Sequence, residues 1–283
     1  GFAELSVSWA HRDRLLQTAY LVEQSEASIG PEAGTTYTLS IYGETDTLLR
    51  TESGLSGTSY LYTAANEIAD SGGTPVEEPY WANVKMLLNM NGADGGTTFT
   101  DSAGTPSTFT ASGNAHTEVD QFKFGGSSGY FDGASDLVTG PTNNAGFNLG
   151  AGDFTLDGWI YRTSGGASNQ HIAGFWDSSG SSLSWELAVS SNGEFFFQYS
   201  LAGSYDPART KSSAAGAIPT GSWNYFEWSR SGTTMRLFVN GIVVLTHTCG
   251  TDTVHFPTAA AFKIGSNVLG YHLAAYLQDL RLT

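Results

Sequence analysis

The sequence holds a single cysteine, Cys249, in 283 residues. No disulfide can close within the chain, so a disulfide-stapled scaffold is excluded, and the thiol is read as a small buried hydrophobe at a strand end. Basic residues are also scarce. Twelve Lys and Arg stand against 27 Asp and Glu, leaving a formal charge of −15. Nucleic-acid binding needs a cationic face that releases counterions, and simple adhesion to anionic lipid needs the same sign; the charge argues against nucleic acid as a partner and disfavours such adhesion. No apolar run approaches the ~18 residues of a membrane span, so no membrane insertion is expected, and no secretory leader is seen. No segment sustains an apolar 3.6-residue period, which argues against a helical fold. The opening Gly1 and the strand-like residues 276–283 are expected of a piece of a longer protein.

What is present points to strands. Thirty-five glycines, 13% aromatics and only 14% charged residues suit short strands joined by tight turns, because aromatic and β-branched side chains fit a pleated surface and glycine relieves the turns. The expected fold class is all-β, with two β-sandwich domains. Residues 71–82 form the linker between them: Ser71-Gly-Gly-Thr-Pro-Val-Glu-Glu-Pro-Tyr is punctuated by two prolines and two glycines. In residues 1–70, Leu5, Val7 and Trp9 share one strand face and Tyr37, Leu39 and Ile41 another, with further short strands at 48–50 and 60–62.

Residues 83–283 show more than ten strand-like segments. Strands are expected at 85–90, 97–100, 107–111, 129–132 and 137–139. The run Asp153-Phe-Thr-Leu-Asp-Gly-Trp-Ile-Tyr alternates strictly, with Phe154, Leu156 and Gly158 opposite Thr155, Asp157 and Trp159. Segments 184–190 and 194–199 form a hairpin across Asn192-Gly193, and Asn240-Gly241 turns 235–239 into 242–246. Segments 223–229, 262–264 and 276–282 complete a jelly-roll sandwich. Trp159, Trp223 and Trp228 are expected in its core.

Several of these segments resemble known families. Trp9 with Tyr37, Leu39 and Ile41 is similar to a fibronectin type III module, of which residues 1–70 would be an incomplete copy. Trp9-Ala-His-Arg-Asp-Arg, Pro31-Glu-Ala-Gly-Thr-Thr-Tyr and Leu55-Ser-Gly-Thr-Ser-Tyr resemble stretches of the tail-tip proteins of tailed bacteriophages. Phe131-Asp-Gly, the alternating run from Asp153, Trp223 with Arg230, Leu237-Phe-Val-Asn-Gly, Ile264-Gly265 and the final Leu277-Gln-Asp-Leu-Arg-Leu-Thr are similar, in that order, to laminin-G-like, concanavalin A-like domains. That fold hosts lectins, adhesion modules and glycosidases, so it does not decide function.

Glycosidases of this fold carry Glu-x-Asp-x-x-Glu on one strand face, where alternation aims neighbouring acids the same way. Glu118-Val-Asp120 begins the pattern, but Lys123 stands where the closing acid belongs. The six histidines show no zinc-ligand spacing, no Gly-x-Ser-x-Gly is present, and Gly125-Gly-Ser-Ser-Gly lacks the Lys-Ser/Thr of a phosphate loop. No catalytic residue is assigned. Aromatic side chains in polar, glycine-bounded loops are the candidate ligand-binding residues: Trp176 and Asp177, Tyr205, and Tyr271 with His272. The laminin-G resemblance implies one structural Ca²⁺, with Asp279 in the last strand as ligand and Asp132 and Asp136 from the facing loop, since hard oxygen donors suit the ion.

These resemblances together imply a non-enzymatic module of a phage tail tip or tail fibre, located in the virion tail. It would recognise a host-surface glycan or receptor protein and pack with other virion tail subunits, as a homo-oligomer in the parent assembly. The alternatives are a decoration or spacer domain of the virion and a polysaccharide depolymerase.

Overall fold

The computed structural model describes residues 5–9, 34–43, 46–70, 81–166, 168–176, 182–267 and 269–283. The chain divides into two compact units, residues 1–79 and 80–283, and each is described by itself.

Unit one contains β1 (Leu5–Ser8), β2 (Tyr37–Tyr42), β3 (Leu48–Leu55), β4 (Ser59–Tyr62) and the short helix α1 (Ala64–Asp70). β1 pairs with β4 and β2 with β3, both antiparallel. Trp9 meets Tyr37 edge-on, with ring centroids 5.5 Å apart. Thr63 caps α1 by accepting the Asn66 amide. At the other end Asp70 would oppose the helix dipole, but the guanidinium of Arg50 binds both of its oxygens at 2.7 and 2.9 Å. Arg50 also donates to Glu52, and Tyr60 and Tyr62 donate to Glu52 and Asp70.

Unit two opens with β5 (Met86–Leu88), β6 (Thr110–Ser112), β7 (His116–Glu118), β8 (Ser128–Asp132) and β9 (Leu137–Thr142). Then come β10 (Phe154–Arg162), β11 (Gln170–Trp176), β12 (Leu183–Val189), β13 (Phe195–Tyr199) and β14 (Thr210–Ser212). It closes with β15 (Trp223–Ser231), β16 (Thr234–Val239), β17 (Ile242–Thr248), β18 (Ala261–Ile264) and β19 (Ala274–Leu282). An eight-stranded sheet runs β17-β16-β15-β10-β19-β8-β7, with β5 also paired to β19; a seven-stranded sheet runs β14-β13-β12-β11-β18-β9-β6. The all-β jelly roll expected from sequence is present. The Asn240-Gly241 turn has the paired positive φ values, 51° and 78°, that join β16 to β17. The segment at 97–100 is not a strand, and the first strand stops at Leu88, because Met90 enters positive φ before Asn91-Gly92.

The two sheets meet over an aromatic core. Trp228 of β15 lies 5.7 Å from Trp185 of β12 and stacks on Phe197 of β13 at 5.0 Å. All three are fully buried, as are Phe131, Phe175, Phe195, Phe226 and Phe262. Burial of each such ring stabilises by about 1.5–3 kcal/mol. β11 and β12 sit in mid-sheet with both faces buried, and Gly174 lets them approach. It has φ 150°, and a Cβ there would fall 2.3 Å from the Trp185 carbonyl oxygen. Gly174→Ala should cost about 3 kcal/mol or more and lower the melting temperature of this unit by about 6–12 °C. A melt unchanged within 2 °C (roughly half a kcal/mol at this size) would contradict the packing described.

Candidate functional site: an aromatic face on the eight-stranded sheet

Strand alternation sorts β10 into two faces. Phe154, Leu156 and Ile160 enter the core; Trp159 and Tyr161 point outward and stay half-buried. β15 does the same, with Phe226 and Trp228 inside and Trp223, Tyr225 and Glu227 partly exposed outside. Trp159 and Trp223 are therefore not core residues, contrary to the sequence expectation, whereas Trp228 is. Parity carried the signal: Trp159 falls on the same face as Thr155 and Asp157, and Trp223 on the same face as Glu227.

Register then aligns these side chains across five strands. Trp223 of β15 is opposite Tyr161 of β10, Tyr161 opposite Tyr276 of β19, Tyr276 opposite Tyr130 of β8, and Tyr130 opposite His116 of β7. Successive ring centroids are 5.8, 6.0, 5.0 and 5.3 Å apart. This row crosses the sheet at right angles to its strands. A second, shorter row lies beside it: Tyr225 meets Trp159 at 5.6 Å, and Phe124 meets Trp159 edge-on at 5.6 Å.

Phe124 reaches the face because the β7–β8 connection is pinned there. The buried Gln278 of β19 accepts the Lys123 and Phe124 amides through Oε1, at 2.8 and 3.1 Å, and donates from Nε2 to the Phe124 carbonyl at 2.7 Å. One side chain thus satisfies three backbone groups of a loop that would otherwise stand off the sheet. The Lys123 ammonium lies 4.5 Å from the centre of the Trp159 indole, a cation–π contact.

Carboxylates surround the tyrosines. Burial first, then Asp157 and Glu227, pushes the Tyr225 hydroxyl up to about 12. Burial raises Tyr130 as well, helped by Asp132, Asp136 and Glu118, and it raises Tyr276, helped by Tyr130, Glu118 and Asp120. The phenols are therefore uncharged donors at neutral pH. Burial also pushes Asp157 up to about 6, against the pull of Arg281 at 3.0 Å. At the end of the row, burial disfavours a charged His116. The Asn114 carbonyl and the Glu118 carboxylate outweigh that and lift it above its ordinary 6.5. His116 also lines a cavity of about 210 Å³ with Gly95, Thr97, Gly113, Asn114 and Ala115.

The loop residues expected from sequence are distributed differently. Trp176 is not in an exposed loop: it ends β11, pairs with Leu183 and is only 3% exposed. The fully buried strand lacks alternation, so its end reads like a loop. Tyr205 is exposed at 58%, and its ring meets Trp176 edge-on at 6.4 Å. Asp177 lies outside the described residues. Tyr271 and His272 are partly exposed in the β18–β19 connection, where the Tyr271 amide donates to Asn267 and His272 Nδ1 pairs with the Ser266 hydroxyl. With Ala173 opposite Ile264 in an antiparallel pair, that connection lies toward the Gln170 end of β11 and Trp176 at the other. The described candidates do not form one site.

The three candidate calcium ligands do not converge either. Asp132 is opposite Ala274 in β19, and Asp279 lies five residues further along, roughly 16 Å at strand rise. Asp136 is buried and already accepts the Asn114 and Asp132 amides, while Asp279 accepts from Asn89. Among the described residues no three His, Cys, Asp or Glu side chains group as a metal site, so these acids do not fit a shared ion.

The family described as the concanavalin A-like lectin/glucanases superfamily, Laminin_G_3, matches residues 131–283, more than half of the chain. The chain belongs to that superfamily. No curated protein matches it in sequence. Among the solved structures similar to this concanavalin A-like protein are several toxin binding domains. The binding domain of Paraclostridial Mosquitocidal Protein 1 aligns with TM-score 0.54 and 11% identity, over 71% of this chain and 49% of that one. Botulinum neurotoxin type C, described as entering cells through two ganglioside molecules, gives 0.52 and 14%, over 71% and 48%. The binding domain of botulinum neurotoxin DC in complex with SialylT gives 0.51 and 15%, over 71% and 47%. This chain spans about half the length of those structures, and at such identities the likeness is one of fold.

The His116 shift sets a pH window. Because the folded value is raised, its stabilisation is complete below about pH 6.5 and is lost as pH rises through the folded value. His116→Ala should lower the melting temperature clearly at pH 6 and little at pH 8.5. An equal loss at both would contradict the ion pair with Glu118.

Proposed function

We propose that unit two is a non-enzymatic glycan-binding module whose contact surface is the row Trp223–Tyr161–Tyr276–Tyr130–His116. The observation that carries this reading is the register itself. Four partly exposed rings and the buried Tyr276 between them stand in line on the outer face of the sheet, at intervals close to one pyranose unit. Aromatic rings offer apolar surface to the C–H patches of sugars, and the hydroxyls of the partly exposed tyrosines offer hydrogen bonds to sugar hydroxyls. The acids that begin a glycosidase pattern support binding over catalysis. β7 ends at Glu118 and Asp120 falls beyond it, so the two are not presented by one continuous strand face, and Lys123 lies on Trp159.

The setting we infer is the tail tip or tail fibre of a tailed phage, with unit one as a fibronectin-like spacer. The sequence resemblance of residues 1–70 supports it. The partner would be a host-surface glycan or glycosylated receptor, and several copies in a homo-oligomeric tail would raise a weak site to useful avidity. The toxin binding domains of similar fold, whose descriptions include a ganglioside, a sialylated ligand and, for botulinum neurotoxin DC, rat synaptotagmin II, agree with a surface-recognition role.

The full chain, titrated calorimetrically against glycans selected on an array, should lose about tenfold in affinity with Trp223→Ala and Tyr130→Ala together, with the far-UV circular dichroism of the folded protein retained. Tyr205→Ala should leave affinity intact. If affinity instead depends on Tyr205 and not on the row, the surface is assigned wrongly. Release of reducing ends on incubation with host polysaccharide would overturn the non-enzymatic reading.

A further inference from the structure

Resting on the reading of this row as the glycan surface, we infer that it takes uncharged pyranose chains and rejects acidic ones. The reason is the sign of the charge around the rings. Glu118 lies two residues from His116 on β7, and Asp132 two residues from Tyr130 on β8; in a strand each such pair shares a face. Glu227 stands in the same relation to Tyr225 on β15. Asp120 is close enough to act on the Tyr276 hydroxyl. Burial works against a charged Glu118, but the Val119 amide and His116 outweigh it and hold the carboxyl below its usual range, so it is charged at neutral pH.

Among the described residues Arg281, Lys123 and, when protonated, His116 come close, and each is engaged, His116 with Glu118 at 3.3 Å. Arg281 makes two bonds to Asp157, at 3.1 and 3.0 Å. Lys123 sits over the Trp159 ring. A uronic or sialic carboxylate laid along the row would therefore meet carboxylates within about one Debye length, roughly 8 Å at physiological salt, while the nearby cations are already occupied. A neutral hydroxylated chain meets only ring faces, phenol donors and acceptor oxygens, which suit it at every position. The whole protein carries −15, so long-range steering acts in the same direction.

The test titrates the full chain with neutral pentasaccharides (cellopentaose, the chitin pentamer, mannopentaose) and with acidic counterparts (pentagalacturonate and a sialylated pentasaccharide), at 0.05 and 0.5 M NaCl. The expected result is binding of at least one neutral chain and affinities about fivefold or more weaker for both acidic ones at low salt. The gap should shrink at high salt and in the Glu118→Gln/Asp132→Asn variant. Acidic chains that bind as tightly as neutral ones, with that binding abolished by Trp223→Ala, would overturn the charge inference and leave the aromatic row standing. Absence of binding by every chain would overturn the row as well.

Discussion

Strand β10 holds the rest of unit two in place through its two antiparallel pairings, with β15 on one side and β19 on the other. Alternation along this strand leaves no freedom in what each residue faces. A slip of one residue would carry Trp159 and Tyr161 inward and expel Leu156 and Ile160. The register is secured from the inner side, where Leu156 and Ile160 pack beside Phe226 and Trp228 against Trp185 and Phe197 of the opposite sheet. The outer aromatic row is thus a consequence of core packing: the same backbone pairing that closes the sandwich sets five rings in line.

Much of this was legible in the sequence, for reasons tied to particular residues. The Asn240-Gly241 turn and the alternation from Asp153 specify strands and hairpins locally. The same alternation already placed Trp159 beside Thr155 and Asp157, and only the habit of assigning tryptophan to the core hides it. The row itself was not legible, since bringing Trp223, Tyr161, Tyr276, Tyr130 and His116 together depends on pairings between residues up to 146 positions apart. β11 was missed for the opposite reason. A strand buried on both faces has no alternation, and the polar residues that follow Trp176 make its end look like an exposed loop. Aspartates at plausible sequence positions likewise say nothing about convergence, and Asp132, at the end of β8, turns out to sit opposite Ala274, five residues along β19 from Asp279.

The electrostatics give the aromatic face a character that the fold alone does not. Toxin domains of similar architecture are described with gangliosides and a sialylated ligand, and sialic acid is anionic. Here the rings are bordered by Glu118, Asp120, Asp132 and Glu227, and the nearby Arg281 and Lys123 are engaged within the protein. The sandwich supplies the platform, and the outward side chains set the charge of its face.

The central claim, that the outer row is where this protein meets its ligand, is tested most directly by oxidative footprinting of the full chain with and without a bound glycan. Protection of Trp223, Tyr161 and Tyr130, with Tyr205 oxidised equally in both states, is the expected result. Protection confined to Tyr205 and Tyr271, with the row oxidised as in the free protein, would contradict it.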